Sequence, residues 1–556
     1  MKKTILRLLS MLLLVLLHMS TYSQADTVIV PTTVNGEALG AINNFILGDT
    51  TATGERNNPE RFYKLERNKI YFLNGEFHSD FFLRLIADEA DADNKPPIVA
   101  STTGADGKPQ LIQFKVLGDA YIKNIMFQMT PPGGNGESNA SFFLAKEGGN
   151  YYFDNVKWEW GLWMQVVAVK PVNKIVVRNC YFRNPQHKTN IYNGRGVGFN
   201  LENPADTVIM VNNTFFNMNS FAFVADQGSI PPKYFLFDHN TIVNEMKWPI
   251  HSYWLTEAHV TNNLFYNCHS FGENSEDKVG QDPDKLIYGI INISGIPSEI
   301  LTSHKLKENE RVYELKNNAY FYSQEIYDYW DSYKDKGVKQ ETWMNTRTTA
   351  MFANDTDYPN LIEEKTYYMN PGLKEAGTGT VEMVKWMKRK RDWQNNRYWG
   401  WDPDGDKFAV QWPFPEDLTY TNDTLLRGAQ GGFPVGDLNW YPDKKAEWSV
   451  WEPSGINEIP FLKNKNITID NVYPNPFEDK VSINFSIKNS SLIQVDIIDV
   501  NGNKVAELFN GTKKAGHHIT TWNISGSNSN VNPTGLYFYR IKSNGTVLTG
   551  KIQHVK

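Results

Sequence analysis

A short pattern recurs down the middle of this chain: an apolar residue, one intervening position, an asparagine, and a second apolar residue three places on. It reads Ile122–Asn124–Phe127, Phe153–Asn155–Trp158, Val177–Asn179–Phe182, Met210–Asn212–Phe215, Val260–Asn262–Phe265 and Leu315–Asn317–Tyr320. In Phe237–His239–Ile242 a histidine takes the asparagine's place. On one flat strand the two apolar positions would face opposite sides. Both point inward only if the chain turns a corner between them. Asparagine is the non-glycine residue that best tolerates the left-handed backbone of such a corner. Units of roughly 25 residues with such a corner predict a right-handed parallel β-helix, an all-β fold whose corners stack and whose amides form a ladder. A second asparagine directly follows the corner at Asn213, Asn240, Asn263 and Asn318.

The flanks fit that architecture. Ala38, Leu39, Ile42, Phe45 and Ile46 share one helical face, so a short amphipathic helix is expected to plug the N-terminal end of the coil stack. Strand-like runs at 69–73, 81–86 and 111–116 supply early coils. The regular pattern breaks after Tyr322, and the β-helix with its cap helix is assigned to 26–324. Irregular C-terminal coils and a cap are expected over 325–453, with a helix from Thr380 to Asn396 whose basic cluster reads as a solvated face. The run Gly431-Gly432-Phe433-Pro434-Val435-Gly436-Asp437-Leu438-Asn439-Trp440 resembles the closing segment of certain secreted β-helix proteins of Bacteroidetes. A polar linker is placed at 454–469.

From residue 470 onward the character changes. Val481, Ile483, Phe485 and Ile487 alternate as in a strand with one buried face, and Asn501-Gly502 and Asn544-Gly545 suit tight hairpins. The opening Asn471-Val472-Tyr473-Pro474-Asn475-Pro476-Phe477 and the closing Gly535-Leu536-Tyr537-Phe538-Tyr539 and Gly550-Lys551-Ile552 resemble the type A C-terminal sorting domain of type IX secretion. The resemblance covers 470–556. It implies a β-sandwich tag read by the type IX secretion machinery, and the region before it resembles the pectin-lyase-like β-helix. At the other end, Lys2, Lys3 and Arg7 precede an apolar run from Leu8 to Leu17, and Ser23-Gln24-Ala25 offers small residues for cleavage. Residues 1–25 read as a signal peptide. No later run reaches the ~18 apolar residues of a membrane-spanning helix. The mature chain is therefore expected outside the cell or on the outer-membrane surface, reached through the periplasm, with no transmembrane span.

A net charge of −6 and a pI near 6.1 give no basic footprint for nucleic acid. Two cysteines in an exported chain ordinarily suggest a disulfide, but the register opposes it. Cys180 and Cys268 sit three coils apart, or ~14 Å along the axis at ~4.8 Å per coil, beyond disulfide reach.

In a coil stack, chemistry belongs to the outer faces and the loops. The segments after the corners at Asn179, Asn212, His239 and Asn262 are the polar ones. They carry Arg183, His187, Lys188, Tyr192 and Arg195, then Asp226, then Glu245, Lys247, Trp248, His251, Tyr253 and Trp254, then His269. Such a face suits an acidic extracellular polysaccharide. A uronate lyase must remove the C5 proton beside a carboxylate, so it needs a neutralising cation and a base. Lys188, Arg195 and His251 are the candidate catalytic residues; Arg183, His187, Tyr192, Trp248 and Trp254 are candidate substrate contacts. A calcium ion held by carboxylates would be an alternative neutraliser. Asp238 and His239 read as ladder members instead. The run Arg183-Asn184-Pro185-Gln186-His187-Lys188 resembles the Arg-x-Pro-x-x-Arg element of pectate lyases, with Lys188 last, but the accompanying calcium-binding aspartates are not evident. The candidate face also lacks the Glu-x-Glu calcium site of chondroitinase B and its alginate-lyase relatives. The acid pairs of polygalacturonases are missing too. A polysaccharide lyase and a non-catalytic glycan-binding or adhesion protein both remain open at this point.

Overall fold

The computed structural model describes residues 26–133, 136–187, 189–199, 204–225, 232–272, 288–336, 338, 342–376, 379–392, 406–451, 467–487, 490–499, 504–524, 534–543 and 546–555. The proposed signal peptide, Lys188, Asp226 and most of the linker lie outside them.

Among the described residues, three wholly parallel sheets of eleven, seven and ten strands wind around one apolar core. Strands three apart in sequence order pair in register, as successive coils of a parallel β-helix must. The asparagine corners cause this winding. Asn124, Asn155, Asn179, Asn212, His239, Asn262 and Asn317 all hold φ between 50° and 61°. Their apolar flanks, among them Ile122 with Phe127 and Phe153 with Trp158, all enter the core. The pattern's parity thus becomes a bend between the first sheet and the third.

Inside that bend runs the amide ladder. Asn213 donates from Nδ2 to Asn240 Oδ1 at 2.9 Å, Asn240 to Asn263 at 3.1 Å, and Asn263 to Asn318 at 3.0 Å. Each amide also donates back to a carbonyl of the preceding coil, such as Met210 O from Asn240 at 3.0 Å. Cys180 occupies the next place up, its N–H donating to Asn213 Oδ1. Both cysteines are free and buried. A second left-handed corner leaves the third sheet at Asn184, Asn217, Asn244 and Asn267, with its own chain of side-chain amide bonds.

The cap helix forms at Ala41–Leu47 and buries Ala41, Ile42 and Ile46. Leu39 precedes it and stays about half exposed. The stack itself continues past 324, since Leu361–Glu364 and Tyr367–Tyr368 add to the first and third sheets. The late helix spans Gly379–Asp392, and one expectation about it needs correction. Its basic cluster is not wholly a solvated face. Lys390 and Arg391 are buried, Lys390 donating to Asn219 Oδ1 and Arg391 to Tyr329 Oη, because this face packs on the loops of the stack.

Residues 406–440 form a strap across the outside of the ten-stranded sheet. Phe408 and Val410 pack near Ile98 and Met126, Leu418 near Val243, and Val435 near Leu264. Corner amides fasten it: Asn262 Oδ1 accepts from Gln430 N, and Asn212 Oδ1 from Leu438 N. Gly436, at φ 95°, passes so close that a Cβ would stand 2.5 Å from Thr241 Oγ1, so only glycine fits.

The C-terminal unit is separate in its pairing. Two antiparallel sheets of three and four strands enclose Val481, Ile483, Phe485, Ile487, Val495, Trp522 and Ile541.

Candidate functional site

The strap leaves a gap over the third sheet. Successive coils place Lys157, Tyr181 and Thr214 side by side on its outer face, and these form the floor of a cleft of about 370 Å³. Trp412, Pro413 and Phe414 make one wall, Asn439 and Trp440 another, and Glu89 and Ala90 close a third side. The volume falls within the range of small-molecule sites, ~300–1,000 Å³.

Each wall is held from behind. Arg183, buried beside Tyr181, bridges Glu159 at 3.0 Å and Glu416 at 2.8 Å, which anchors the strap just after Phe414. Tyr181 Oη donates to Glu416 Oε2 at 3.3 Å. Trp440 donates its indole N–H to Thr214 Oγ1, and that hydroxyl donates to Asp437 Oδ2 at 2.7 Å. Asn439 closes the wall through Asp437 Oδ1 and Asn212 O.

Burial shifts the protonation of several of these groups. It lowers the Lys157 ammonium to about 8, although the residue is only part-buried and lines the cleft. It raises Asp437 to about 6, despite the donors around that carboxyl. Burial, and next the neighbouring Glu416, push the Tyr181 phenol far above its usual range. Lys157 donates to Asn155 Oδ1 at 2.8 Å and stands 5.8 Å from the Trp412 ring. The cleft therefore combines stacking surfaces, a lysine with an appreciable free-amine fraction at mildly alkaline pH, and carboxyl and amide acceptors.

The side chains singled out in the sequence lie elsewhere. Arg183 is buried under the strap and committed to its two carboxylates. Tyr192, Arg195, Trp248 and His251 do come together, around Phe221 at the seven-stranded sheet. The Arg195 guanidinium is 5.7 Å from the Phe221 ring, and the His251 ring stacks on it at 4.5 Å. His251 is buried, and its Nδ1 accepts from the Trp248 indole at 3.2 Å. Trp248 stacks on Tyr288 at 3.7 Å. His187 Nδ1 accepts the N–H groups of Thr189 and Asn190, shaping its loop, and Trp254 donates to Ser294 Oγ. Lys188 is outside the described residues. His239 holds its corner position, at φ 50°, with its Nδ1 turned to Gly436 O of the strap and not to a ladder side chain.

Lys157, Tyr181, Glu416, Asp437 and the strap aromatics escaped the sequence reading. Lys157 carried one signal, standing two places after a corner where the outer face of the third sheet begins. The strap carried another, in the Gly431–Trp440 run. Among the described residues, no group of three or more His, Cys, Asp or Glu side chains could hold a metal ion. No helix among them is long and apolar enough to cross a membrane.

The fold and tag define the class: an exported parallel β-helix protein. Residues 471–555 match the family model of the secretion system C-terminal sorting domain, which establishes the type IX tag and a secreted or cell-surface destination. Comparison with curated proteins returns no match for the chain.

Proposed function

We propose that this secreted β-helix protein binds extracellular polysaccharide in the cleft beneath its strap. The observation that carries the proposal is the pairing of Trp412, Phe414 and Trp440 walls with a floor of Lys157, Tyr181 and Thr214. Aromatic rings offer flat apolar faces to sugar C–H groups while the polar floor meets hydroxyls. Affinity electrophoresis of the full chain through gels holding different polysaccharides tests this. Retardation in at least one gel, lost in Trp412→Ala, is expected. Unchanged retardation in that variant would sink the assignment.

A second reading is elimination on a uronate glycan, with Lys188, Arg195 and His251 as the acting groups. The gathering of Arg195, Tyr192 and His251 around Phe221 supports it. Incubation with alginate, pectin and chondroitin, followed by the absorbance of unsaturated product, tests it. Product that persists in Arg195→Ala would remove Arg195 from the reaction.

A further inference from the structure

We infer that the cleft selects an uncharged saccharide over a uronate or sulfated one. This rests on the polysaccharide reading above and adds the ligand's charge to it.

The reasoning starts from the charges that line the cavity. Glu89, Glu416 and Asp437 border it, against a single ammonium, that of Lys157. Of these carboxylates Glu416 is already paired, because the buried Arg183 guanidinium is taken up between it and Glu159. A second ammonium, Lys445, donates to Asn439 Oδ1 at 2.5 Å and interacts with the charges of Asp437 and Glu89. A carboxylate or sulfate entering here would shed water and meet mostly acceptors, with Lys157 the one cation among the lining residues to offset them. Desolvating an anion without matched donors is strongly unfavourable.

A neutral sugar has the opposite chemistry. Its hydroxyls donate as well as accept, so the solvent-facing Glu89 carboxylate and the Asn179 amide oxygen become partners. Lys157, already steered by Asn155 at 2.8 Å, donates to a ring or hydroxyl oxygen. The Trp412 and Phe414 rings, with centroids 5.3 Å apart and nearly perpendicular, form a corner that a pyranose face can lie against. Burial acts in the same direction on the titrating groups, moving both Lys157 and Asp437 toward their neutral forms. A cavity that disfavours its own charges disfavours a charged guest.

Isothermal titration of the full chain with two sets of oligosaccharides decides the matter. One set is neutral, built from glucose, mannose, xylose or galactose; the other is acidic, from guluronate, galacturonate or chondroitin sulfate. A neutral ligand is expected to bind with an affinity nearly unchanged between low salt and about 0.5 M salt, where exposed ionic attraction is screened. Trp412→Ala should weaken it roughly tenfold, and Glu89→Gln, at a solvent-facing position, should weaken it with the fold intact. Tighter binding of an acidic oligosaccharide, lost in Trp412→Ala and falling steeply with salt, would overturn the inference and leave the polysaccharide reading standing. Absence of binding in both sets would defeat the polysaccharide reading and the inference with it.

Discussion

Arg183 and Glu416 are 233 residues apart in sequence, yet Arg183 Nη2 lies 2.8 Å from Glu416 Oε1, with both side chains almost fully buried. The pair ties the strap to the coil stack, and Arg183 reaches Glu159 of the preceding coil as well. Removing the guanidinium would take the bridging cation from two buried carboxylates. Arg183→Ala is expected to cost about 3–5 kcal/mol, read from the urea midpoint, and to expose 406–440 to protease. A variant as stable and as protease-resistant as the parent would mean the tie contributes nothing.

The amide ladder makes a second prediction. Asn240 receives two donors from Asn213 and donates to Met210 O and Asn263 Oδ1, all out of solvent. Asn240→Ala should cost about 1–3 kcal/mol for each group left unpaired. Asn173→Ala, at an exposed position bonded only at the surface to Asn150, should change stability by no more than about 0.5 kcal/mol. Equal midpoints for the two variants would contradict a stabilising ladder.

Glu245 lies within the stack, in register with Met218, and is fully buried. Burial raises its carboxyl well above the ordinary range, which favours the neutral form in the folded protein. The folded state binds this proton more tightly than the unfolded chain, whose pKa is about 4.3. The associated stability is therefore complete below that pH and is lost as pH rises toward the higher folded value. Glu245→Gln should flatten the decline of melting temperature with rising pH above about 5. A parallel decline in parent and variant would place the responsible group elsewhere.

Cys180 and Cys268 should remain thiols in the exported protein. Burial pushes both thiol pKa values up, so neither offers an exposed thiolate. Native protein is expected to react with a thiol reagent slowly, and denatured protein at both positions quickly. A linked Cys180–Cys268 peptide in a non-reducing digest would refute the coil register.

Deleting 470–556 should remove the protein from the cell surface and the medium of its native host while leaving the β-helix folded. The tag closes its own core around Val481, Phe485, Trp522 and Ile541, which supports independent folding. Undiminished surface protein after the deletion would show that another signal directs export.

The sequence alone determined the winding of this protein. A corner that requires φ near +55°, flanked by apolar residues of opposite parity, leaves few folds open, and Asn124 through Asn317 repeat that demand. The sorting tag was legible for a similar reason, because the alternation of Val481, Ile483, Phe485 and Ile487 acts over a short distance, while Asn501-Gly502 and Asn544-Gly545 lie outside the described residues. The second corner was also present in the chain: Asn184, Asn217, Asn244 and Asn267 each follow a first corner by five places. In the sequence it merges with the polar segments that follow each first corner, where an asparagine is ordinary. The cleft is another matter. Lys157, Tyr181 and Thr214 become neighbours only through coil register, and Trp412, Glu416 and Trp440 join them only where an irregular strap doubles back over the sheet. Nothing periodic marks that path. It is fixed by long-range contacts, the Arg183–Glu416 pair, the Asn212 and Asn262 amides, and the close passage of Gly436. The same contacts include Arg183, a candidate substrate contact in the sequence, which bridges Glu159 and Glu416. Its polarity was visible in the sequence, but its partner was placed by the tertiary structure alone.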